Sequence, residues 1–103
     1  MYMNVFRSRK RADIDAAAYA ADDDRMVGLA AEQPGFVSYQ YFVAPDGETV
    51  AISIWDSEAE ARAWGLHPDH AAVRARGLAG YYESYTMYVC IDPLVREFAR
   101  DAA

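Results

Sequence analysis

Four stretches of the chain are rich in aromatic and β-branched residues or alternate apolar with polar side chains, which is typical of β-strands. Between them, an alanine-rich stretch follows Asp13, and Ser57-x-x-Glu60 forms a capping box, so both indicate helices. The predicted strands are Met1–Ser8, Phe36–Val43, Thr49–Trp55 and Tyr82–Ile91, and the predicted helices span Asp13–Ala31 and Ser57 to about Gly80, with interruptions at Gly65 and Pro68. This β-α-β-β-α-β order predicts an α+β, ferredoxin-like fold with one antiparallel sheet and its helices on one face.

The length of 103 residues predicts a single domain spanning residues 1–103. Residues 92–103 follow the last strand as a C-terminal tail, in which Leu94 and Phe98 would share one side of a short helix. A chain this short buries about 60–65% of the surface that it exposes when unfolded, and association with a second copy is a common way to bury more.

One face of the predicted sheet is almost wholly apolar or aromatic. Because successive strand residues point to opposite faces, sorting each strand by parity separates the two faces. The apolar set is Met3, Val5, Val37, Tyr39, Tyr41, Val43, Val50, Ile52, Ile54, Tyr85, Met87, Val89 and Ile91. Helices cover only one face of a lone ferredoxin-like unit, and a large exposed apolar patch usually marks an interface. We therefore expect a homodimer in which this face packs against the same face of a second copy.

The other face mixes aromatic side chains with small polar groups. It comprises Asn4, Phe6, Phe36, Ser38, Gln40, Phe42, Ala51, Ser53, Trp55, Ser84, Thr86, Tyr88 and Cys90. Buried polar groups need hydrogen-bond partners, and water or a ligand supplies them in a pocket. This face therefore predicts a ligand pocket beneath the helices. The alternative is that the polar groups bond to helix ends or lie at strand edges.

Composition and charge exclude several functional classes. The net charge of −6 argues against nucleic-acid binding, which needs clustered Lys and Arg. No stretch is long and apolar enough for a membrane span. Cys90 is the single cysteine, so no intrachain disulfide forms and the reducing cytoplasm is favoured. The run Asp22-Asp23-Asp24 predicts an exposed helix face rather than a metal cluster, because consecutive helical residues point in different directions.

The stretch from Pro34 to Val89 resembles the antibiotic biosynthesis monooxygenase family. The residues that carry the resemblance are Pro34-Gly35-Phe36, Trp55-Asp56-Ser57-Glu58, Ala63-Trp64, His67-Pro68-Asp69-His70 and Tyr82-Glu83-Ser84-Tyr85, together with the opening Val5-Phe6-Arg7-Ser8. The resemblance implies a dimeric αβ barrel. It also implies oxygenation without metal, flavin or another cofactor, as in the anthrone and quinol monooxygenases of the family. A distinct branch of the family degrades haem.

The family's site residues match this chain only in part. Trp55 matches the pocket tryptophan of the anthrone monooxygenases, whereas their catalytic asparagine falls on Ala51 and their pocket tyrosine on Ala61. In the haem-degrading branch the helix tryptophan matches Trp64. The first-strand asparagine of that branch falls near Phe6 and its haem-ligating histidine near Arg74, so haem binding in that manner is not expected.

His67 and His70 are the two histidines and the candidate general bases, because imidazole titrates near neutral pH. Their alternative roles are helix capping or surface exposure, and without a third ligand they predict no metal site. Asn4 is the third candidate catalytic residue, as a hydrogen-bond donor to a substrate oxygen. The candidate substrate-binding residues are Trp55, Trp64, Phe6, Gln40 and Tyr88. The alternatives are ordinary core packing for the two tryptophans and bonds to neighbouring backbone for Asn4 and Gln40.

Two functions remain open from the sequence. The first is a cofactor-independent monooxygenase that oxidises a small aromatic, quinol or polyketide-like compound with molecular oxygen. The second is a non-catalytic dimeric domain that binds a small aromatic molecule on the same fold, and the alanines at positions 51 and 61 favour it.

Overall fold

The structure is a computed structural model that describes residues 1–101. Its elements are β1 (Tyr2–Lys10), α1 (Ala16–Ala31), β2 (Phe36–Val43), β3 (Thr49–Trp55), α2 (Glu58–Leu66), α3 (Pro68–Arg76), a π-helical turn (Gly77–Tyr81) and β4 (Tyr82–Ile91). The strands form one antiparallel sheet in the order β2-β3-β1-β4. The predicted α+β, ferredoxin-like fold is thereby confirmed.

The helices begin where the sequence supplies acceptors for their free N–H groups. The Asp15 side chain accepts a hydrogen bond from the Ala18 N–H at 3.0 Å and caps α1. Ser57 accepts from the Glu60 N–H at 3.2 Å and caps α2, as its capping box predicts. Pro68 occupies the first turn of α3, where its missing N–H costs nothing.

Cross-strand pairing fixes which side chains share a face. Asn4 pairs with Ser53 on β3 and with Val89 on β4, so these three residues lie on the face that the helices cover. This helix-side face consists of Tyr2, Asn4, Phe6, Ser8, Phe36, Tyr39, Tyr41, Val43, Thr49, Ala51, Ser53, Trp55, Tyr85, Met87, Val89 and Ile91. The open face consists of Met3, Val5, Arg7, Ser38, Gln40, Phe42, Val50, Ile52, Ile54, Ser84, Thr86, Tyr88 and Cys90.

The predicted faces are right for β1 and β3 and wrong for most of β2 and for β4. In β2 the register shifts between Phe36 and Ser38. One extra residue opposite β3 reverses the alternation, so Phe36 and Tyr39 both face the helices. In β4, both alternating sets of residues contain apolar side chains, so composition does not show which set faces the helices. Pairing of Phe6 with Met87 puts the more apolar set on the helix side.

The buried apolar core of the described chain is small and lies between the helices and the sheet. Its members are Met26, Ala30, Trp55, Ala61 and Tyr81. The tail packs little against it, because Leu94 is 84% exposed and Phe98 is 83% exposed. The short helix predicted in the tail is absent from residues 93–101, and residues 102–103 lie outside the described part of the chain.

Candidate functional site

A cavity of about 470 Å³ separates the helices from the sheet. Ligand pockets for small molecules usually measure about 300–1,000 Å³. Side chains from β1, β2, β3, α1, α2, α3 and the π-helical turn line it, and β4 adds Tyr82 and Met87. The cavity therefore occupies the space that a solid core would fill in a domain of this fold.

Small side chains on facing elements explain why the space is open. Ala51 and Ser53 of β3 lie on the helix-side face, and Ala30 of α1 and Ala61 of α2 line the same cavity. Larger apolar residues at these positions would take up part of this space, because protein interiors otherwise pack to the density of organic crystals. The alanine positions therefore set the size of the guest that fits.

Aromatic rings form one wall of the cavity. The Trp55 side chain is 2% exposed, and its ring centroid lies 6.5 Å from that of Trp64 with an angle of 25° between the planes. Phe36 meets Trp55 edge-to-face at 5.6 Å. Phe6 lines the cavity from β1 and contacts the Tyr82 ring at 5.4 Å. Flat apolar walls of this kind suit a planar aromatic guest.

His70 lines the cavity from α3 as a neutral base. Its Nδ1 lies 3.2 Å from the main-chain oxygen of Trp64. A carbonyl oxygen only accepts hydrogen bonds, so Nδ1 carries the proton and Nε2 keeps its lone pair. Burial lowers the pKa of His70 below the ordinary value of 6.5, and the positive charge of Arg74 adds to that effect. The ring is therefore uncharged at neutral pH and able to accept a proton.

Asn4 lines the cavity floor opposite Ser53 on the neighbouring strand. Its Oδ1 is fully buried and has no hydrogen-bond partner within residues 1–101. An unpaired buried amide costs about 1–3 kcal/mol, so this position is unfavourable for folding alone. The amide group both donates and accepts, and it can turn over within nearly the same volume. It is therefore suited to bind an oxygen or a hydroxyl of a guest molecule.

An acidic pair on α1 lines the cavity on the side away from the sheet. Asp22 accepts hydrogen bonds from the Arg76 guanidinium at 2.9 Å and from the Tyr81 hydroxyl at 2.7 Å, and these bonds lower its pKa to about 2. Asp23 is half-buried, and burial raises its pKa above the ordinary value. The prediction of an exposed acidic face is therefore correct for Asp24 but wrong for Asp22 and Asp23.

Tyr19, Tyr39 and Tyr82 line the same cavity as Asp23. Burial raises the pKa of all three, with Asp23 contributing to each shift. For Tyr82 the pKa is raised to about 12. All three hydroxyls are consequently protonated at neutral pH and able to donate a hydrogen bond.

The structure brings together five of the eight site residues predicted from the sequence. Those that line the cavity are Asn4, Phe6, Trp55, Trp64 and His70. Gln40 and Tyr88 lie on the open face, contrary to the predicted face assignment, for the reasons of register given above. There the Tyr88 hydroxyl accepts a hydrogen bond from Arg7 at 3.3 Å.

His67 lies outside the set of residues that line the cavity. Its Nδ1 accepts a hydrogen bond from the Asp69 N–H at 3.2 Å and caps α3. Capping was the alternative role considered for the two histidines, and it is the contact that His67 makes. Both histidine rings lie beside Trp64, at centroid distances of 5.5 Å for His67 and 4.6 Å for His70, but only His70 lines the cavity.

Asp23, Tyr39 and Met87 are among the cavity residues that sequence reasoning missed. Tyr39 and Met87 had been assigned to the opposite face. No signal in a single sequence marks the bulge that moves Tyr39. For Asp23 a signal existed, because Met26, Val27 and Ala30 place the apolar side of α1 three, four and seven residues later.

No group of three or more His, Cys, Asp or Glu side chains in residues 1–101 is placed to hold a metal ion. Across the same residues, no helix is long and apolar enough to cross a membrane.

Comparison with known proteins gives a family match over most of the chain. The model of the family described as "Antibiotic biosynthesis monooxygenase" matches residues 1–76. The uncharacterized protein YqjZ of Bacillus subtilis (strain 168) is 35% identical over 88 residues, which cover 85% of this chain and 76% of YqjZ.

Solved structures share the fold at lower sequence identity. Rv0793 from Mycobacterium tuberculosis superimposes with a TM-score of 0.79 at 22% identity, covering 92% of this chain and 96% of Rv0793. A mutant of SnoaB, a cofactor-independent oxygenase from Streptomyces nogalater, gives a TM-score of 0.75 at 19% identity, covering 91% of this chain and 94% of SnoaB.

Proposed function

This chain belongs to the antibiotic biosynthesis monooxygenase family, and on that premise we propose that it oxidises a small hydroxylated aromatic compound with molecular oxygen and without a cofactor. The observation that carries the proposal is a cavity of about 470 Å³ that is walled by flat aromatic rings and contains one neutral imidazole. An uncharged base beside an apolar slot is what proton removal from a phenol or an activated methylene group requires.

The substrate supplies the electrons in this mechanism. Ground-state oxygen is a triplet and reacts slowly with closed-shell molecules. His70 Nε2 accepts a proton from the substrate, and the resulting anion transfers one electron to oxygen. The two radicals then combine in a carbon–oxygen bond. With an anthrone-type methylene group, the O–O bond breaks, one oxygen atom stays on carbon as a carbonyl, and the other leaves as water with the two methylene hydrogens.

The remaining cavity residues hold the substrate and keep bulk water out. The substrate rings lie against the wall that Trp55 and Trp64 form, and Asn4 binds the oxygen on which negative charge develops. Because that oxygen gains charge as the proton leaves, a donor beside it stabilises the anion more than the neutral substrate. Phe6 closes the β1 side of the slot.

Proteins of this family are typically dimeric, and we extend the proposal to pairing through the open face. No helix covers that face within residues 1–101, and its centre carries Val5, Ile52 and Ile54. Polar side chains such as Ser38 and Thr86 lie towards the outer strands. An apolar centre with a polar rim is the usual composition of a protein interface.

A non-catalytic binding domain is the second candidate function. Ala51 and Ala61 both line the cavity, at the positions where the resemblance places a catalytic asparagine and a pocket tyrosine in anthrone monooxygenases. The cavity thus has aromatic walls but lacks two polar groups that the resemblance places in anthrone monooxygenases. Ligand binding without turnover would support this candidate.

Oxygen uptake with a panel of anthrones and quinols in metal-free buffer tests the proposal. Turnover is expected for at least one member, and tight binding without oxygen uptake would instead favour the second candidate. His70→Gln should lower kcat about 10²- to 10⁴-fold, the usual contribution of a general base. His67→Asn keeps a side chain that can cap α3, so an equal loss in this variant would remove the assignment of the base to His70.

A further inference from the structure

Two carboxylates, Asp22 and Asp23, line the cavity, and the proposed chemistry uses neither. Asp22 is held by Arg76 and Tyr81, and Asp24 is exposed. Asp23 is half-buried and lines the cavity, and it makes no hydrogen bond or ion pair within residues 1–101. A charged group that is partly removed from water without a fixed partner is costly unless a ligand or water completes its hydrogen bonds.

Lys10, the cation whose positive charge acts on Asp23, is already engaged elsewhere. Lys10 Nζ donates to Ser8 Oγ at 3.0 Å and to Thr49 Oγ1 at 2.5 Å. It also lies 5.0 Å from the centre of the Tyr19 ring and 5.5 Å from that of Tyr82. Lys10 therefore moderates the field at Asp23 without pairing with it, and the carboxylate remains available as an acceptor.

We infer that Asp23 is the specificity-determining residue of the cavity: it accepts a hydrogen bond from a second hydroxyl of the ligand and rejects ligands that carry a carboxylate. The ligand class is then a neutral aromatic with at least two hydroxyl groups, one towards Asp23 on the α1 side and one towards His70 on the α3 side. The identity of the reacting hydroxyl rests on the proposed function, whereas the role of Asp23 in binding does not.

Two physical effects support this selectivity. A hydroxyl donated to a carboxylate forms a charge-assisted hydrogen bond, which is stronger than a neutral one. Two like charges in a partly dry cavity repel each other much more strongly than in bulk water, because the effective dielectric constant is lower.

Equilibrium binding of two ligands of the same outline tests the inference. The probes are a naphthalenediol with its hydroxyls on opposite rings and the hydroxynaphthoic acid in which one hydroxyl is replaced by a carboxylate, both measured at about pH 8, where carboxylates are ionised. The wild-type protein should bind the diol at least tenfold more tightly than the acid. Asp23→Asn should reduce this ratio at least tenfold, by weakening diol binding and strengthening acid binding.

Asp24→Asn is the matched control, because it removes the same charge from an exposed neighbouring position on the same helix. The ratio of diol affinity to acid affinity in this variant should equal that of the wild type. An equal change in both variants, or an unchanged ratio in Asp23→Asn, would overturn the inference. If Asp23→Asn does not fold, Asp23→Ser is measured in its place with the same criteria.

Binding and turnover separate the two proposals. Oxygen uptake without selectivity between the two probes would remove the role of Asp23 and leave the monooxygenase function standing. Selectivity that depends on Asp23, without oxygen uptake for any substrate, would remove the monooxygenase function and leave the role of Asp23 in binding standing.

Discussion

The imidazole of His70 lies flat against the indole of Trp64, with ring centroids 4.6 Å apart and an angle of 11° between the planes. The same pair is joined by the hydrogen bond from His70 Nδ1 to the Trp64 main-chain oxygen. The stack fixes the ring plane and the hydrogen bond fixes the tautomer. Together they hold Nε2 as the basic nitrogen at the edge of the cavity, which is the arrangement that the proposed proton transfer needs.

The first prediction concerns the pH dependence of this base. Burial lowers the pKa of His70, so the acid limb of the kcat/KM profile should have its midpoint below pH 6.5. An NMR titration of the His70 ring protons should give a midpoint on the same side of 6.5. His70→Gln should remove this limb from whatever activity remains. A limb above pH 6.5, or one that persists in the variant, would show that another group is the base.

The second prediction concerns the ion pair that joins α1 to α3. Asp22→Asn should lower the free energy of unfolding by about 2 kcal/mol at neutral pH, because it replaces charge-assisted bonds to Arg76 and Tyr81 with neutral ones. The folded-state pKa of Asp22 is about 2, below the unfolded value of about 3.9. The stabilisation is therefore complete above about pH 4 and is lost as pH falls towards 2.

Urea unfolding at neutral pH and near pH 3 measures this dependence. The difference between Asp22→Asn and the wild type should be smaller at the acidic pH. Asp24→Asn, which removes an exposed charge from the same helix, should change stability by less than about 0.5 kcal/mol at either pH. Equal destabilisation by the two variants would mean that helix charge, and not the contact with Arg76, is responsible.

The third prediction uses two glycines with similar backbone conformations. Gly35 has φ +82° and Gly47 has φ +91°, so an alanine is strained at either position. At Gly35 a Cβ atom would also collide with the Glu60 carboxylate and lie 2.7 Å from Glu60 Cβ, whereas at Gly47 no atom lies within 4 Å. Gly35→Ala must therefore displace the side chain that completes the capping box of α2.

We expect Gly47→Ala to cost about 1–2 kcal/mol and Gly35→Ala at least about 1 kcal/mol more. Since α2 carries Ala61 and Trp64 into the cavity, Gly35→Ala should also weaken ligand binding, and Gly47→Ala should not. Urea unfolding and ligand titration check both statements. Equal costs for the two variants would show that Glu60 moves away without penalty.

The element order followed from the sequence because each element carries its own local signal. Ser57 and Glu60 mark the start of α2, and Pro68 marks the break before α3. Turn and cap chemistry depends on residues a few positions apart, so one sequence is enough to identify it. The same holds for Asn4 and Trp55, whose strands alternate without interruption and whose faces were assigned correctly.

Which residues of a strand face the helices depends on how that strand pairs with its neighbour, and nearby residues in the sequence do not determine this pairing. Gln40 and Tyr88 were placed beneath the helices because their strands were aligned by composition alone. The bulge near Phe36 and the pairing of Met87 with Phe6 reverse both assignments. A one-residue shift moves every side chain to the other face, so composition is informative only where one alternating set is clearly polar. In β4 both sets contain apolar residues.

The fourth prediction concerns the open face of the sheet. Ile52 lies at its centre, paired with Val5 on one side and Gln40 on the other. The wild-type protein should sediment as a dimer at micromolar concentration. Ile52→Glu should raise the dimer dissociation constant at least 100-fold, because it buries an unpaired carboxylate in an apolar interface. Its circular dichroism should stay that of a folded chain, since the substituted side chain is solvated in the monomer.

Two further variants distinguish pairing through the open face from pairing elsewhere. Leu78→Glu changes an exposed apolar residue of the π-helical turn and should leave the dimer intact. Val89→Glu changes an exposed residue on the helix side of the edge strand β4, where Met87 and Ile91 are exposed as well. If the dimer survives Ile52→Glu but dissociates in Val89→Glu, the interface lies along β4. Because Met87 lines the cavity, the partner would in that case also close one side of the site.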